Sequence, residues 1–101
     1  MKKDQDFLDI LRKIDKTPNV SQRALAKGLG FSLGKLNYCL KALKDKGLIK
    51  IRNFTKNPKK INYVYILTAE GISKKTSLAI RFMEKKMKEY DELASELKKN
   101  K

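Results

Sequence analysis

Residues 21–47 read SQRALAKGLGFSLGKLNYCLKALKDKG and carry the clearest structural pattern in the chain. It contains two residues suited to helix N-caps, Ser21 and Ser32, and each is followed by helix-forming residues. The pattern therefore predicts one helix over 22–27 and a second over 33–46, joined by a short turn. Two helices in this arrangement are typical of a helix-turn-helix unit.

The residue types inside this unit agree with its geometry. Ala26 is small, as a close crossing of the two helices requires, and Gly30 lies in the turn, where a left-handed conformation suits glycine. Leu36, Cys39 and Leu43 share the inward face of the second helix. A free cysteine on such a face behaves as a small hydrophobe, and no second cysteine could resolve a sulfenic acid. We therefore expect Cys39 to pack in the core rather than to act as a redox switch.

Elements on both sides of the unit complete a larger pattern. Apolar residues at helical spacing predict a helix over 6–16. Two short runs rich in β-branched and aromatic residues, 48–54 and 61–67, are joined by TKNPKK and predict a β-hairpin with a basic tip. Thr68 is suited to cap a last helix, predicted over 69–97. The expected fold is mainly α with a β-hairpin wing: a winged helix-turn-helix domain followed by a long C-terminal helix.

The last helix is too long for one small domain to bury. About thirty helical residues make a rod of ~45 Å, whereas a 100-residue globule has a radius of gyration of ~13 Å. We therefore assign residues 1–68 to the winged domain and residues 69–101 to a coiled-coil-like dimerisation helix. Alternating steps of four and three form a heptad seam for a homodimer: Thr76, Ile80, Met83, Met87, Tyr90, Ala94 and Leu97. A second stripe is expected to pack back on the winged domain: Ile72, Leu78 and Phe82. Opposite charges beside the seam are compatible with either a parallel or an antiparallel arrangement of the two helices in the dimer.

The charge of the chain is concentrated in its middle. Residues 16–67 contain twelve Lys and Arg residues but only one acid, Asp45, and so carry a net charge of +11 of the total of +14. Residues 1–15 are neutral overall, and the last thirty-four residues add only +3. A charge block of this size over a folded segment indicates a polyanionic partner. Together with the helix-turn-helix pattern, it predicts a protein that binds double-stranded DNA.

Composition excludes several other classes of protein. The 101 residues suffice for one domain with a modest core, and 36% of them are charged. No run approaches the roughly 18 apolar residues of a membrane span, and the first ten residues lack the apolar region of a secretory signal. One cysteine and no histidine fit a reducing cytoplasm. They also leave little for catalysis or metal binding, so we expect neither an enzyme nor a metal or cofactor.

The sequence resembles the MarR-type winged-helix regulators, since LTAEG at 67–71 closes the wing as it does in that group. More narrowly, it is similar to the small exopolysaccharide-associated members. That closer likeness lies in SQR at 21–23, SLGKLNYCLKAL at 32–43 and RFMEKKM at 81–87. The resemblance covers nearly the whole chain and implies a bacterial, sequence-specific DNA binder that acts on transcription.

Two features depart from the broader MarR-type group. Many of its members have an Asp and an Arg near the wing tip, where this chain has Lys59 and Lys60. Larger members also have a longer N-terminal dimerisation region beside a ligand crevice, whereas here one short helix precedes the helix-turn-helix. A small-molecule effector is therefore doubtful for this chain.

The contacts expected with DNA fall into three groups. The exposed start of the second helix should read base edges: Lys35, Asn37 and Tyr38. Asn can pair bidentately with adenine, Lys can donate to guanine, and Tyr can touch a thymine methyl or a phosphate. Close approach to phosphate is expected at Ser32 and Gly34. Contacts with the DNA backbone that fix the position of the protein along the duplex are expected at Ser21, Gln22, Arg23, Lys41 and Lys44. The wing should enter or straddle a neighbouring minor groove with Arg52, Lys56, Lys59 and Lys60.

Two other functions use some of the same features. A winged helix that binds RNA or single strands would present the same basic surface, but it would also expose several aromatic residues for stacking. The aromatic residues here mostly fall in core-like patterns, and only Tyr38 and Phe54 look free. A coiled-coil adaptor that binds protein would leave the basic helix-turn-helix unexplained. The leading interpretation is a homodimeric regulator that binds duplex DNA.

Overall fold

A computed structural model of the chain describes residues 2–17, 19–53 and 63–99. Within these residues, four helices and a two-stranded antiparallel sheet follow in the predicted order, and the winged helix-turn-helix architecture is confirmed. The elements are α1 (Lys2–Lys16), α2 (Gln22–Leu29), α3 (Leu33–Asp45), β1 (Ile49–Asn53), β2 (Tyr63–Leu67) and α4 (Ala69–Lys99).

The predicted caps set the limits of the helix-turn-helix unit. The Ser21 hydroxyl oxygen accepts a hydrogen bond from the backbone N–H of Ala24 at 3.2 Å, and Ser32 accepts from Lys35 at 3.1 Å. Gly30 follows α2 in the left-handed conformation, with φ of 69°. These contacts satisfy backbone groups that a helix end would leave unpaired, which is why α2 and α3 begin where the sequence places them.

Other boundaries differ by a few residues from those predicted. Helix α1 begins at Lys2 instead of residue 6, because its first turn is held by polar contacts that hydrophobic spacing does not reveal. Gln5 Nε2 donates to Asp9 Oδ1 at 2.9 Å, one helical turn away, and Arg81 Nη1 of α4 lies 3.2 Å from Asp4 Oδ2. Helix α2 is two residues longer than predicted, and both strands are shorter within the described residues.

One hydrophobic core joins all of the helices with the hairpin. The predicted inward faces of α1 and α3 are buried. Leu8 is buried with them, although its position in the apolar spacing of α1 does not predict burial. The residues with essentially no exposed surface come from α1, α2, α3 and α4: Ile10, Leu11, Leu25, Leu36, Leu43 and Leu78. The first three turns of α4 therefore share the core of the winged region.

The start of α4 is fixed to the end of α3 by a compact set of contacts. The Thr68 hydroxyl caps α4 by accepting from the N–H of Gly71 at 3.0 Å, and it donates to the carbonyl of Gly47 at 2.6 Å. The N–H of Thr68 also donates to the carbonyl of Leu48 at 3.1 Å. Gly71 lies so close that a Cβ there would be 1.9 Å from the Leu48 carbonyl oxygen. Only glycine allows this approach without a backbone shift.

Beyond this junction α4 leaves the body of the protein. Leu78 is buried and Phe82 packs on the core, as predicted, but Ile72 is half exposed, so its assignment to the packed stripe is wrong. Ile72 lines an open pocket with Ile14 of α1 and Tyr65 of β2, which leaves half of its surface exposed. From Met83 onward the helix projects for roughly 25 Å at 1.5 Å per residue, and the molecule measures 67 × 25 × 21 Å. None of the described helices is apolar over a long enough stretch to cross a membrane.

Gly71→Ala should be strongly destabilising, because its methyl group would overlap the Leu48 carbonyl and force α4 away from β1. We expect a loss of at least about 2 kcal/mol in the free energy of unfolding, measured by urea titration. Gly34→Ala is the matched control, since Gly34 is also in the first turn of a helix but has open space around it. That control should stabilise the fold by about 0.5–1 kcal/mol. Equal effects at the two positions would contradict the close contact.

Candidate nucleic-acid interface

Helix α3 divides into a buried face and an exposed face, as the sequence predicts. Its apolar residues lie in the core, while every predicted contact residue on the helix is exposed: Gly34, Lys35, Asn37, Tyr38, Lys41 and Lys44. Residues from neighbouring elements are exposed as well: Ser21, Arg23, Ser32 and Arg52. We call these ten residues the α3 surface. Gln22 is the one predicted contact residue with a described side chain that is half-buried.

The two cap residues keep part of their hydrogen-bonding capacity. Ser21 and Ser32 use their hydroxyl oxygens to accept from the backbone of α2 and α3, so the hydroxyl protons remain able to donate. Both lie at helix N-termini, where the helix dipole favours an anion. The two caps can therefore donate to phosphate oxygens without giving up their structural role.

Lys35 does not extend freely from the α3 surface. Its Nζ lies 3.3 Å from Asp6 Oδ2 on α1 and 4.1 Å from the centre of the Phe31 ring. The lysine is partly exposed, so this ion pair contributes little to stability. Its effect is to direct the lysine side chain back toward α1, a placement that the sequence did not indicate.

Asn37 and Gln22 are joined by a hydrogen bond between α3 and α2. Gln22 Nε2 donates to Asn37 Oδ1, and the Tyr65 hydroxyl of β2 donates to Gln22 Oε1 at 3.5 Å. Both polar ends of the Gln22 carboxamide are thus used within the protein. The sequence predicts for Gln22 only a contact with the DNA backbone. It does not indicate these hydrogen bonds, because the bonded residues are separated by 15 and by 43 positions along the chain.

Tyr38 is the large aromatic residue that α3 exposes. Its side chain is 65% exposed, with Lys3 Nζ 5.9 Å from the ring centre. On the wing, Arg52 is exposed near the end of β1. The predicted wing-tip residues Lys56, Lys59 and Lys60 lie outside the described residues.

Gly34 has no packing reason to be glycine. A Cβ built there meets no atom within 4 Å, and its φ is that of an ordinary helical residue. Glycine inside a helix costs about 1 kcal/mol relative to alanine. The absence of a side chain at this point leaves the backbone of α3 open to close approach from outside.

Cys39 lies in the core, as predicted, and is 4% exposed. Burial, followed by the nearby negative charge of Asp6, raises the pKa of its thiol. The thiol therefore stays protonated at neutral pH, and a protonated buried thiol is a poor nucleophile.

The predicted dimer seam on α4 is largely exposed. Ala94 is half-buried. The large apolar side chains of the seam are 46–72% exposed: Ile80, Met83, Met87, Tyr90 and Leu97. Thr76 is exposed and its hydroxyl donates to the Ile72 carbonyl at 3.1 Å. Leu93, 60% exposed, extends the same apolar surface and was missed because it lies outside the a and d positions of the heptad.

An open groove of about 760 Å³ runs beside this seam, between α1 and α4. Its walls are mainly apolar, and polar residues of both helices lie at its edges. The lining includes Leu8, Phe82, Met83, Met87 and Tyr90. The groove and the seam thus form one continuous apolar region.

Comparison with known proteins supports this architecture. Residues 8–50 match the family of winged helix-turn-helix DNA-binding domains. No curated protein sequence matches the chain. The fold is similar to the PcaV transcriptional regulator of Streptomyces coelicolor, solved with its natural ligand. The TM-score is 0.69 at 19% identity, over 78% of this chain and 55% of that one.

Two further similar structures were solved with DNA. A mutant MarR from E. coli in complex with operator DNA gives a TM-score of 0.63 at 23% identity, over 72% of this chain and 51% of that one. A mutant MepR from S. aureus, bound to an oligodeoxyribonucleotide, gives a TM-score of 0.67 at 19% identity, over 96% of this chain and 74% of that one. The chain thus spans little more than half of PcaV and MarR. The resemblance to MarR-type regulators is confirmed at the level of the fold.

Proposed function

We propose that this chain, which has the fold of MarR-family regulators, is a cytoplasmic transcription regulator that binds double-stranded DNA as a homodimer. The observation that carries the proposal is the α3 surface, which presents hydrogen-bond donors and cations on and around a helix whose other face is buried. A helix of this kind fits the width of the major groove of B-DNA. The excess of positive charge in residues 16–67 supports the same partner.

The proposed contacts are those that the sequence predicts, and Lys35 would exchange its ion pair with Asp6 for its contact with a base. Base reading is proposed for Lys35, Asn37 and Tyr38, near the N-terminal end of α3. Phosphate contacts are proposed for Arg23, Lys41 and Lys44 and for the hydroxyl groups of Ser21 and Ser32, with Gln22 at the edge of this set. On the wing, Arg52 and the three tip lysines 56, 59 and 60 would reach a neighbouring minor groove.

The distribution of aromatic residues favours duplex DNA over single strands or RNA. Single-strand binders stack bases on several exposed aromatic rings. Here Phe7 and Tyr65 are buried and Phe31 packs against the core. Among the aromatic residues near the α3 surface, Tyr38 alone in the described part of the chain is largely exposed. One ring does not make a stacking platform.

The dimer is proposed to form through α4. The exposed apolar seam of α4 extends over three heptads, from Thr76 to Leu97, and is continuous with the groove against α1. A monomer seldom leaves so much contiguous apolar surface in water. A second copy of the same helix would cover the seam by knobs-into-holes packing, with Met87 near its middle. Two α3 surfaces in one dimer would then meet two half-sites of a duplex.

Gly34→Ala tests the proposed DNA contact. The added methyl group meets nothing within the protein but would stand between α3 and a duplex, so stability and binding should change in opposite directions. We expect duplex affinity, measured by fluorescence anisotropy, to fall about tenfold, which corresponds to about 1.4 kcal/mol.

The matched control for this test is Gly28→Ala on α2. Its methyl group would meet only the movable end of the Lys13 side chain, away from the α3 surface. Duplex affinity should be unchanged in the control. If Gly34→Ala binds duplexes as tightly as the wild type, α3 does not approach DNA as proposed.

Met87→Lys tests the proposed dimer. A lysine at the middle of the seam would be buried against the partner helix without an opposite charge, at a cost of several kcal/mol. We expect sedimentation to show a monomer whose circular dichroism still reports a folded winged region. Ser95→Lys adds the same charge at an exposed position off the seam and should remain dimeric. A dimeric Met87→Lys variant would place the interface elsewhere.

A further inference from the structure

We propose that Gln22 and Tyr65 fix the orientation of the Asn37 carboxamide, so that Asn37 reads a base edge that offers hydrogen-bond acceptors, guanine first. This inference rests on the proposed function, since it concerns how α3 would read a duplex. It makes Gln22 a positioning residue for base recognition and assigns a role in specificity to a strand of the wing.

Three side chains from three elements form the chain of hydrogen bonds. Tyr65 on β2 is 7% exposed, Gln22 on α2 is half-buried, and Asn37 on α3 is exposed. The Tyr65 hydroxyl donates to Gln22 Oε1, and Gln22 Nε2 donates to Asn37 Oδ1. The chain therefore runs from the interior to the α3 surface and ends at the Asn37 amide.

The Tyr65 hydroxyl, at the buried end of the chain of hydrogen bonds, sets which group donates in each bond. In the opposite direction, Gln22 Nε2 would donate to the Tyr65 oxygen, and the phenolic proton would need a different acceptor. The described part of the chain gives that hydroxyl one hydrogen-bond partner, Gln22. Burial raises the pKa of Tyr65, which keeps the proton in place at neutral pH. A buried donor without a partner is costly, so the observed direction is favoured.

The direction decides which group of Asn37 faces outward. Because Oδ1 accepts from Gln22, the Nδ2 amino group is the part left for a base, and it can only donate. In the major groove, guanine presents two acceptors, O6 and N7, whereas cytosine presents a donor. Bidentate pairing with adenine would need Oδ1 as an acceptor for the adenine amino group. The structure thus favours guanine over the adenine pairing expected from sequence.

The test compares duplexes selected from a random pool by the wild type and by variants of the full chain. Asn37→Ala identifies the position that Asn37 reads, because preference there should be lost. We expect that position to be guanine in the wild-type site. In Gln22→Glu the carboxylate can only accept, so it should draw Asn37 Nδ2 inward and turn Oδ1 outward. Preference at the same position should then shift to cytosine or adenine, by roughly tenfold relative to guanine.

Two variants separate orientation from other effects. Ala24→Glu adds the same negative charge on α2 without touching Asn37, and it should weaken binding to all duplexes while the preferred base stays the same. Tyr65→Phe keeps the buried ring but removes the donor that orients Gln22, so the preference for guanine should weaken in a protein that still folds by circular dichroism. It keeps the inference testable if Gln22→Glu does not fold.

The outcomes distinguish this inference from the proposed function. If the wild type enriches no duplex sequence, both fail together. The orientation mechanism is overturned if the wild type enriches a site in which Asn37 reads adenine or cytosine. It is also overturned if the preference for guanine at that position is unchanged in both Gln22→Glu and Tyr65→Phe. In either case duplex binding stands.

Discussion

The close contact of Gly71 with the backbone of Leu48 determines how α3, the hairpin and α4 are placed relative to one another. It brings the first turn of α4 against the point where α3 ends and the wing begins. Thr68 completes this junction by linking the α4 cap to the Gly47 carbonyl. Helix α3, the hairpin and α4 are therefore held in one geometry by contacts with the backbone at Gly47 and Leu48. Any bulkier residue at position 71 would change the angle at which α4 leaves the core, and with it the separation of two α3 surfaces in a dimer.

The acidic residues of α1 balance charge within the protein and leave the α3 surface basic. Three aspartates of this helix each meet a basic residue from another element: Asp4 with Arg81, Asp6 with Lys35, and Asp15 with Lys75. Two of these pairs attach α1 to α4, while the third restrains one cation of α3. Such partly exposed pairs add little stability. Their contribution is to orientation, since each pair fixes the side chain of one basic residue against α1.

The sequence predicts local structure well where single residues decide it. Ser21, Ser32 and Gly30 specify helix ends through their own hydrogen bonds or backbone conformation, and the structure has them in those roles. Contacts between distant elements were not predictable. The pairing of Gln22 with Asn37 and of Lys35 with Asp6 depends on how helices cross, which periodicity does not encode. The start of α1 was missed for a similar reason, because a polar first turn carries no hydrophobic signal.

If this chain binds duplex DNA as a dimer, as proposed, the sequence that it selects should have two-fold symmetry. The wild-type protein is offered random duplex DNA together with single-stranded DNA and RNA competitors, and the bound sequences are determined. We expect an enriched duplex site with two-fold symmetry, whose half-sites lie about one helical turn, roughly 10 base pairs, apart. Enrichment without symmetry, or equal retention of single strands or RNA, would contradict it.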